Sequence, residues 1–174
     1  MPRDTMQRGF RLRRARPRDI DALVRLETHF PTDRLRRGNL RHLILRGNAD
    51  VVVIETRSEL IADAIVLYRN NSPTARFYSL VVTPAHRGRG LAETLLDAIE
   101  AAALKRGCAA IQLEVRPDND AAQTLYRRGG YVEVGQIAGF YEDGMAALRF
   151  SKALRLEGLR NTDLLTAPSA STCP

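Results

Sequence analysis

Leu80-Val81-Val82-Thr83-Pro84-Ala85-His86-Arg87-Gly88-Arg89-Gly90-Leu91-Ala92 is the stretch on which the reading of this chain turns. Leu80, Val81 and Val82 close an apolar segment suited to a strand. Thr83-Pro84 stops it, because proline has no N–H for a ladder and biases its predecessor away from helix. Two glycines loosen the turn, and an apolar-periodic helix starts at Leu91. A strand that enters a helix N-terminus through glycines leaves backbone N–H groups aimed one way, at the positive end of the helix dipole. The missing β-carbons let a pyrophosphate come close. An ordinary strand–turn–helix with a basic solvated turn fits the same residues, so the flanks must decide.

Upstream, residues 10–16 alternate as a strand ended by Pro17. Residues 18–30 carry Ile20, Leu23, Val24 and Leu26 at helical spacing. Pro31 breaks that helix, and Thr32 or Asp33 can cap a second one over residues 34–45. Strands follow at residues 51–56, 60–69 and 76–82, with β-branched residues dense in the first. Downstream, Leu91, Leu95 and Ile99 recur every four residues, with Leu96 and Ala103 widening the face. Gly107 fits the end of that helix. Residues 109–115 alternate, with Ile111, Leu113 and Val115 on one face and Gln112 and Glu114 on the other. Asn119 caps a short helix over residues 120–128, Gly129-Gly130 stops it, and strands follow at residues 131–137 and 146–151.

The chain of 174 residues suffices for one domain with its own core. Its parts read as a disordered lead over 1–9, a domain over 10–154 and a flexible tail over 155–174. No apolar run approaches the roughly 18 residues of a spanning helix, and the arginine-rich start lacks the apolar core of a signal peptide. Cys108 and Cys173 form no disulfide framework, and His29 and His42 have no zinc spacing, so a metal is not expected and a cytoplasmic setting is the default. The net charge of +7 invites nucleic acid as a partner. However, all cationic side chains but Lys105 and Lys152 are arginine, scattered and without an aromatic RNA-binding motif, which argues against it.

Arg87-x-x-Gly90-x-Ala92 resembles the arginine/glutamine-x-x-glycine-x-glycine/alanine signature of the GNAT N-acetyltransferase family, whose loop cradles the pyrophosphate of acetyl-CoA. A second block is more specific. Leu113-Glu114-Val115-Arg116, Asn119, Leu125-Tyr126 and Gly130-Tyr131 resemble the matching series of the ribosomal-protein-alanine and N-terminal acetyltransferases, as does the hairpin Phe140-Tyr141-Glu142-Asp143-Gly144. The resemblance covers about residues 10–152. It implies an α/β single-domain GNAT fold: a mixed, mostly antiparallel sheet of about seven strands flanked by four helices, splayed between the fourth and fifth strands. The pantetheine arm of acetyl-CoA would enter that splay.

By the same resemblance, Leu80, Val81, Val82, Arg87, Gly88, Arg89, Gly90, Leu91, Ala92 and Asn119 bind the cosubstrate. Glu114 takes the amine proton and Tyr126 protonates the leaving sulfur, the two meeting in one cleft. A backbone N–H near Val82 meets the oxyanion. Tyr141 lines the acceptor entrance. From the residues alone, Glu114 is equally a solvated strand carboxylate paired with Arg116, Tyr126 a ring packed on the sheet, Asn119 a helix cap and Tyr141 a hairpin aromatic. Ala92 stands where glycine is commoner, and Thr83 where an acid often precedes the proline. The implied reaction moves acetyl from acetyl-CoA to a primary amine, a protein N-terminal α-amine first and an internal lysine or small amine second. A silent acyl-CoA sensor or partner-binding domain would keep residues 87–92 without needing Glu114 or Tyr126.

Overall fold

The computed structural model describes residues 6–7, 9–29 and 35–155. Its strands are β1 (Met6–Gln7), β2 (Phe10–Arg14), β3 (Ala49–Glu55), β4 (Leu60–Leu67), β5 (Thr74–Val82), β6 (Ala110–Val115), β7 (Val132–Ile137) and β8 (Ala147–Ala153). Its α-helices are α1 (Ile20–Glu27), α2 (Arg37–Arg46), α3 (Leu91–Lys105) and α4 (Asp120–Arg128). The strands form one sheet in the order β1-β2-β3-β4-β5-β6-β8-β7. Every neighbouring pair is antiparallel except β5–β6.

Counted from Phe10, these are the seven expected strands and four helices. The eighth strand is the two-residue β1, whose Met6 pairs with Arg11 inside the stretch read as a disordered lead. Helix α2 opens at Arg37 from Arg36, which makes no side-chain cap. The caps expected at Thr32 or Asp33, Pro31, Cys173 and most of the C-terminal tail lie outside the described residues.

The sheet separates two apolar layers. Leu23, Leu26 and Leu40 of α1 and α2 pack on Val51, Val53 and Ile65. Leu95 and Ile99 of α3 and Tyr126 of α4 pack on the other face with Phe77, Leu113 and Phe150. Leu95 and Ile99 are fully buried, and each contributes about 1.5–3 kcal/mol by leaving water. The α3 and α4 helices approach closely where Gly129 sits: a β-carbon there would lie 2.8 Å from Leu96 Cδ2. That glycine therefore serves packing as well as helix termination.

Between β4 and β5 the register slips. Ile65 faces Ser79, but Val66 faces Phe77, so Tyr78 is an extra residue. A bulge of this kind re-aims neighbouring side chains. Tyr78 packs in the α1/α2 layer, and Ser79 bonds to Glu27 of α1, so two consecutive residues point to one face.

Candidate active site

The site begins where the parallel pair comes apart. β5 and β6 are matched only at Thr74–Ala110, Ala75–Ile111 and Arg76–Gln112. Beyond that point β5 stays with β4 and β6 stays with β8, leaving a wedge between the fourth and fifth strands counted from Phe10. Thr83 N–H donates to Ile61 O at 2.9 Å, which fixes the phase of the β4–β5 ladder. By antiparallel alternation Val81 directs its N–H and C=O to β4, while Leu80 and Val82 direct theirs into the wedge. Arg87 Nε accordingly reaches Val82 O at 3.2 Å from the wedge side. Of the three strand residues expected to line the cosubstrate, Leu80 and Val82 therefore offer backbone donors, and Val81 offers none.

At the end of β5 a 3-10 turn over Pro84–His86 leads into the glycine loop. Gly88 and Gly90 have φ of +72° and +75°, a left-handed backbone that side chains disfavour. Gly90 is the N-cap of α3 and supplies no side-chain acceptor. Thr94 N–H is bonded to Gly90 O at 3.1 Å, so the N–H groups of Leu91, Ala92 and Glu93 have no partner inside the helix. Those three donors, with Arg87 and Arg89 beside them, make a fit for a diphosphate. His86 is tied down, sharing a hydrogen with Thr83 Oγ1 at 2.9 Å and meeting the Phe10 ring edge-on.

Glu114 and Tyr126 do not meet on one face. Leu113 and Val115 belong to the α3/α4 layer, so alternation sends Glu114 to the α1/α2 side. Tyr126 is buried in the opposite layer, against the rings of Phe77, Tyr131 and Phe150. The two residues stand on opposite sides of the sheet, related through the wedge. The expected Glu114–Arg116 pair is not formed either. Glu114 Oε2 accepts from Arg76 Nε at 3.2 Å, and Oε1 accepts from Arg149 Nη2 at 3.1 Å. Arg149 is the register partner of Glu114 across β6–β8. Arg116 instead bonds Asp118 and Asp143 and covers the Tyr141 ring at 4.8 Å. Burial pushes the Tyr126 phenol well up from its ordinary value, and nearby Tyr141 adds to the shift. Asn119 caps α4, its Oδ1 accepting from Ala122 N at 3.1 Å.

On the α1/α2 side, a cavity of about 260 Å³ is lined by Leu35, Asn39, His42, Leu43, Leu67 and Tyr78. Two of its lining residues, Leu35 and Tyr78, neighbour Glu27 and Ser79, which with Asp63 the sequence reading passed over. Glu27 is 1% exposed and Asp63 is 0% exposed. Ser79 Oγ donates to Glu27 Oε1 at 3.1 Å. Two signals could have found the acids. Glu27 falls seven residues after Ile20 and four after Leu23, on the apolar face of its helix. Asp63 interrupts Leu60–Leu67, a strand otherwise made of apolar residues.

Residues 18–131 match the Acetyltransferase (GNAT) family, and the chain belongs to that family. It is an acetyl-CoA-dependent N-acetyltransferase. Similar solved structures include Ard1 from Thermoplasma volcanium, 20% identical with a TM-score of 0.76 over 84% of this chain and 99% of that one. The ribosomal-protein-S18-alanine N-acetyltransferase from Escherichia coli is 21% identical with a TM-score of 0.74, over 87% of this chain and 97% of that one. Nourseothricin acetyltransferase is 22% identical with a TM-score of 0.70, over 84% and 99%. Among the described residues no helix is long and apolar enough to cross a membrane.

Proposed function

We propose that this chain acetylates a protein N-terminal α-amine. The observation carrying the reading is the wedge: one bank offers the inward N–H groups of Leu80 and Val82, and the other bears Glu114. A cavity opens on the same side as Glu114. Bound acetyl-CoA supplies an activated thioester; everything else is the work of this chain's side chains and amides. Leu91, Ala92, Glu93, Arg87 and Arg89 hold the diphosphate. Gly88 and Gly90 let it approach, and Asn119 stands by the pantetheine arm. The N–H groups of Leu80 and Val82 meet negative charge on the carbonyl oxygen.

An α-amine with a pKa near 7.7–8.0 is partly neutral at physiological pH, whereas a lysine near 10.4 is almost wholly charged. The site thus has less proton to remove from a chain terminus. Glu114 accepts it once the ammonium has displaced Arg76, whose side chain is 39% exposed and holds on by a single bond. Tyr126, kept protonated by burial, returns a proton to sulfur from the other layer. Tyr141, pinned by Arg116, guards the acceptor entrance. The cavity lies just below the ~300 Å³ lower bound of small-molecule pockets and suits one uncharged side chain beside the amine.

The test is a peptide array incubated with isotope-labelled acetyl-CoA, with the modified nitrogen located by mass spectrometry. Label on α-amines, strongest where the first side chain is apolar, is the expected result. Label confined to lysine Nζ, or to small amines supplied in competition, overturns the acceptor assignment.

A further inference from the structure

On the β5 bank of the wedge, facing the same layer as Glu114, lies a proton site that the reaction above does not use. Asp63 is fully buried, and among the described residues neither carboxyl oxygen has a hydrogen-bond partner. Glu27 is almost as deeply buried, and its Oε2 has no partner among them either. Unpartnered buried carboxyl oxygens are expensive, and such groups are rare without a use. Glu27 Oε1 receives the Ser79 hydroxyl, and the Leu35 backbone N–H also donates to this carboxylate. The site is joined to the acceptor cavity twice. Leu35 lines the cavity, and so does Tyr78, the neighbour of Ser79 in the bulge.

The ionisable neighbours are few. Asp63 sits on β4 between Val53 of β3 and Val81 of β5, its register partners. Among the described residues its one charged neighbour is Glu27 on α1. Glu27 in turn sees Ser79 of β5 and the Leu35 amide, with no cation on it among the described residues. Burial pushes both carboxyls up, and the charge of Glu27 pushes Asp63 up further. Two acids so placed cannot both ionise readily. Glu27, which has two donors, is the member that keeps its charge, and Asp63, which has none, is the member that holds a proton.

Resting on the proposed acetyl transfer, we infer that Ser79, Glu27 and Asp63 form a second proton-accepting site for the acceptor amine, opposite Glu114 across the wedge. Because Tyr126 gives sulfur its proton, the second proton of the amine needs an acceptor of its own. An ammonium nitrogen sheds two protons in becoming an amide, and sulfur takes up only one. Glu114 removes the first proton before attack. As the C–N bond forms and the C–S bond breaks, the second passes to Ser79 Oγ while the Ser79 proton moves to Glu27. Tyr126 supplies the proton for sulfur, and solvent later takes the protons from Glu114 and Glu27 and returns one to Tyr126. Ser79 is the group that touches the nitrogen; Glu27 and Asp63 act through it.

The full-length chain and its Asp63→Asn, Glu27→Gln and Ser79→Ala variants are compared by kcat against pH, KM for acetyl-CoA and infrared difference spectroscopy. Each variant is expected to lose at least tenfold in kcat with KM for acetyl-CoA within twofold of wild type. In Glu27→Gln the acid limb set by the Glu27 carboxylate is lost, whereas in Asp63→Asn, where one neutral group replaces another, it stays in place. The infrared band of a protonated carboxyl is present in wild type at neutral pH and absent from Asp63→Asn. Wild-type kcat in Ser79→Ala, or an acid limb unchanged in Glu27→Gln, overturns the inference, as does a band that survives Asp63→Asn. Failure of the wild type to acetylate any amine counts against the proposed function, while the band reports separately whether the pair holds its proton.

Discussion

At the residue scale, Tyr126 separates a packing role from a chemical one cleanly. Its ring is wedged among Phe77, Tyr131 and Phe150, and removing the hydroxyl alone leaves those contacts in place. Tyr126→Phe is therefore expected to fold normally and bind acetyl-CoA with unchanged affinity, measured by calorimetry. Its kcat should fall by about 10²–10⁴, the range for loss of a positioned proton donor. Unchanged turnover would leave Tyr126 as packing alone. Tyr126 stands out as a candidate from its neighbours in sequence, but the partners of Glu114 were not legible there. Arg76 and Arg149 lie 38 and 35 residues away along the chain. Only the β5–β6 and β6–β8 registers bring them to the carboxylate, and local alternation carries no information about either. Asp63 is the reverse case: its signal was in plain view, as a charge inside an apolar strand.

At the element scale, the glycine loop and its helix were the most legible part, because the turn chemistry and the spacing of Leu91, Leu95 and Ile99 agree. The β5 bulge was not legible. Thr74–Val82 alternates smoothly by composition, and the slip at Tyr78 exists only relative to β4. Yet that slip aims Ser79 at Glu27, so an unreadable element sets this buried contact. The loop yields its own prediction. A β-carbon at Gly90 would meet nothing within 4 Å, so the penalty of Gly90→Ala is backbone strain and not collision. A non-glycine residue in that left-handed conformation costs about 1–2 kcal/mol. Strain relieved by turning the α3 N-terminus would displace the donors of Leu91 and Ala92. Gly90→Ala should thus weaken acetyl-CoA binding about tenfold, as each 1.4 kcal/mol does. Turnover of acetyl-pantetheine, which lacks the diphosphate, should change little. Equal losses with both acyl donors would show that the loop does not serve the phosphates.

Across the whole molecule, two sets of carboxyl groups of opposite character bracket the pH range of stability. In the first, Arg13 clasps Asp19 at 2.6 and 3.0 Å and Glu55 at 2.6 Å, joining β2 and β3 to the start of α1. Burial alone would raise Asp19, but its bonds from Arg13 and the Arg16 N–H outweigh that and hold it below its usual value. The Arg13 bond likewise holds Glu55 down. These carboxylates bind fewer protons folded than unfolded, so their stabilisation is present above about pH 4 and is lost as pH falls through their lowered values. In the second set, burial raises Glu27 and Asp63, which bind more protons folded than unfolded. Their contribution is complete below about pH 4 and is lost as pH rises through their raised values. The urea midpoint of the wild type should therefore climb from strongly acid pH, pass a maximum on the acid side of neutrality and decline toward alkaline pH. Asp63→Asn should keep the acid limb, flatten the decline and be the more stable protein at pH 8, with m unchanged. Parallel curves for the two proteins would mean that Asp63 titrates as freely in the fold as out of it.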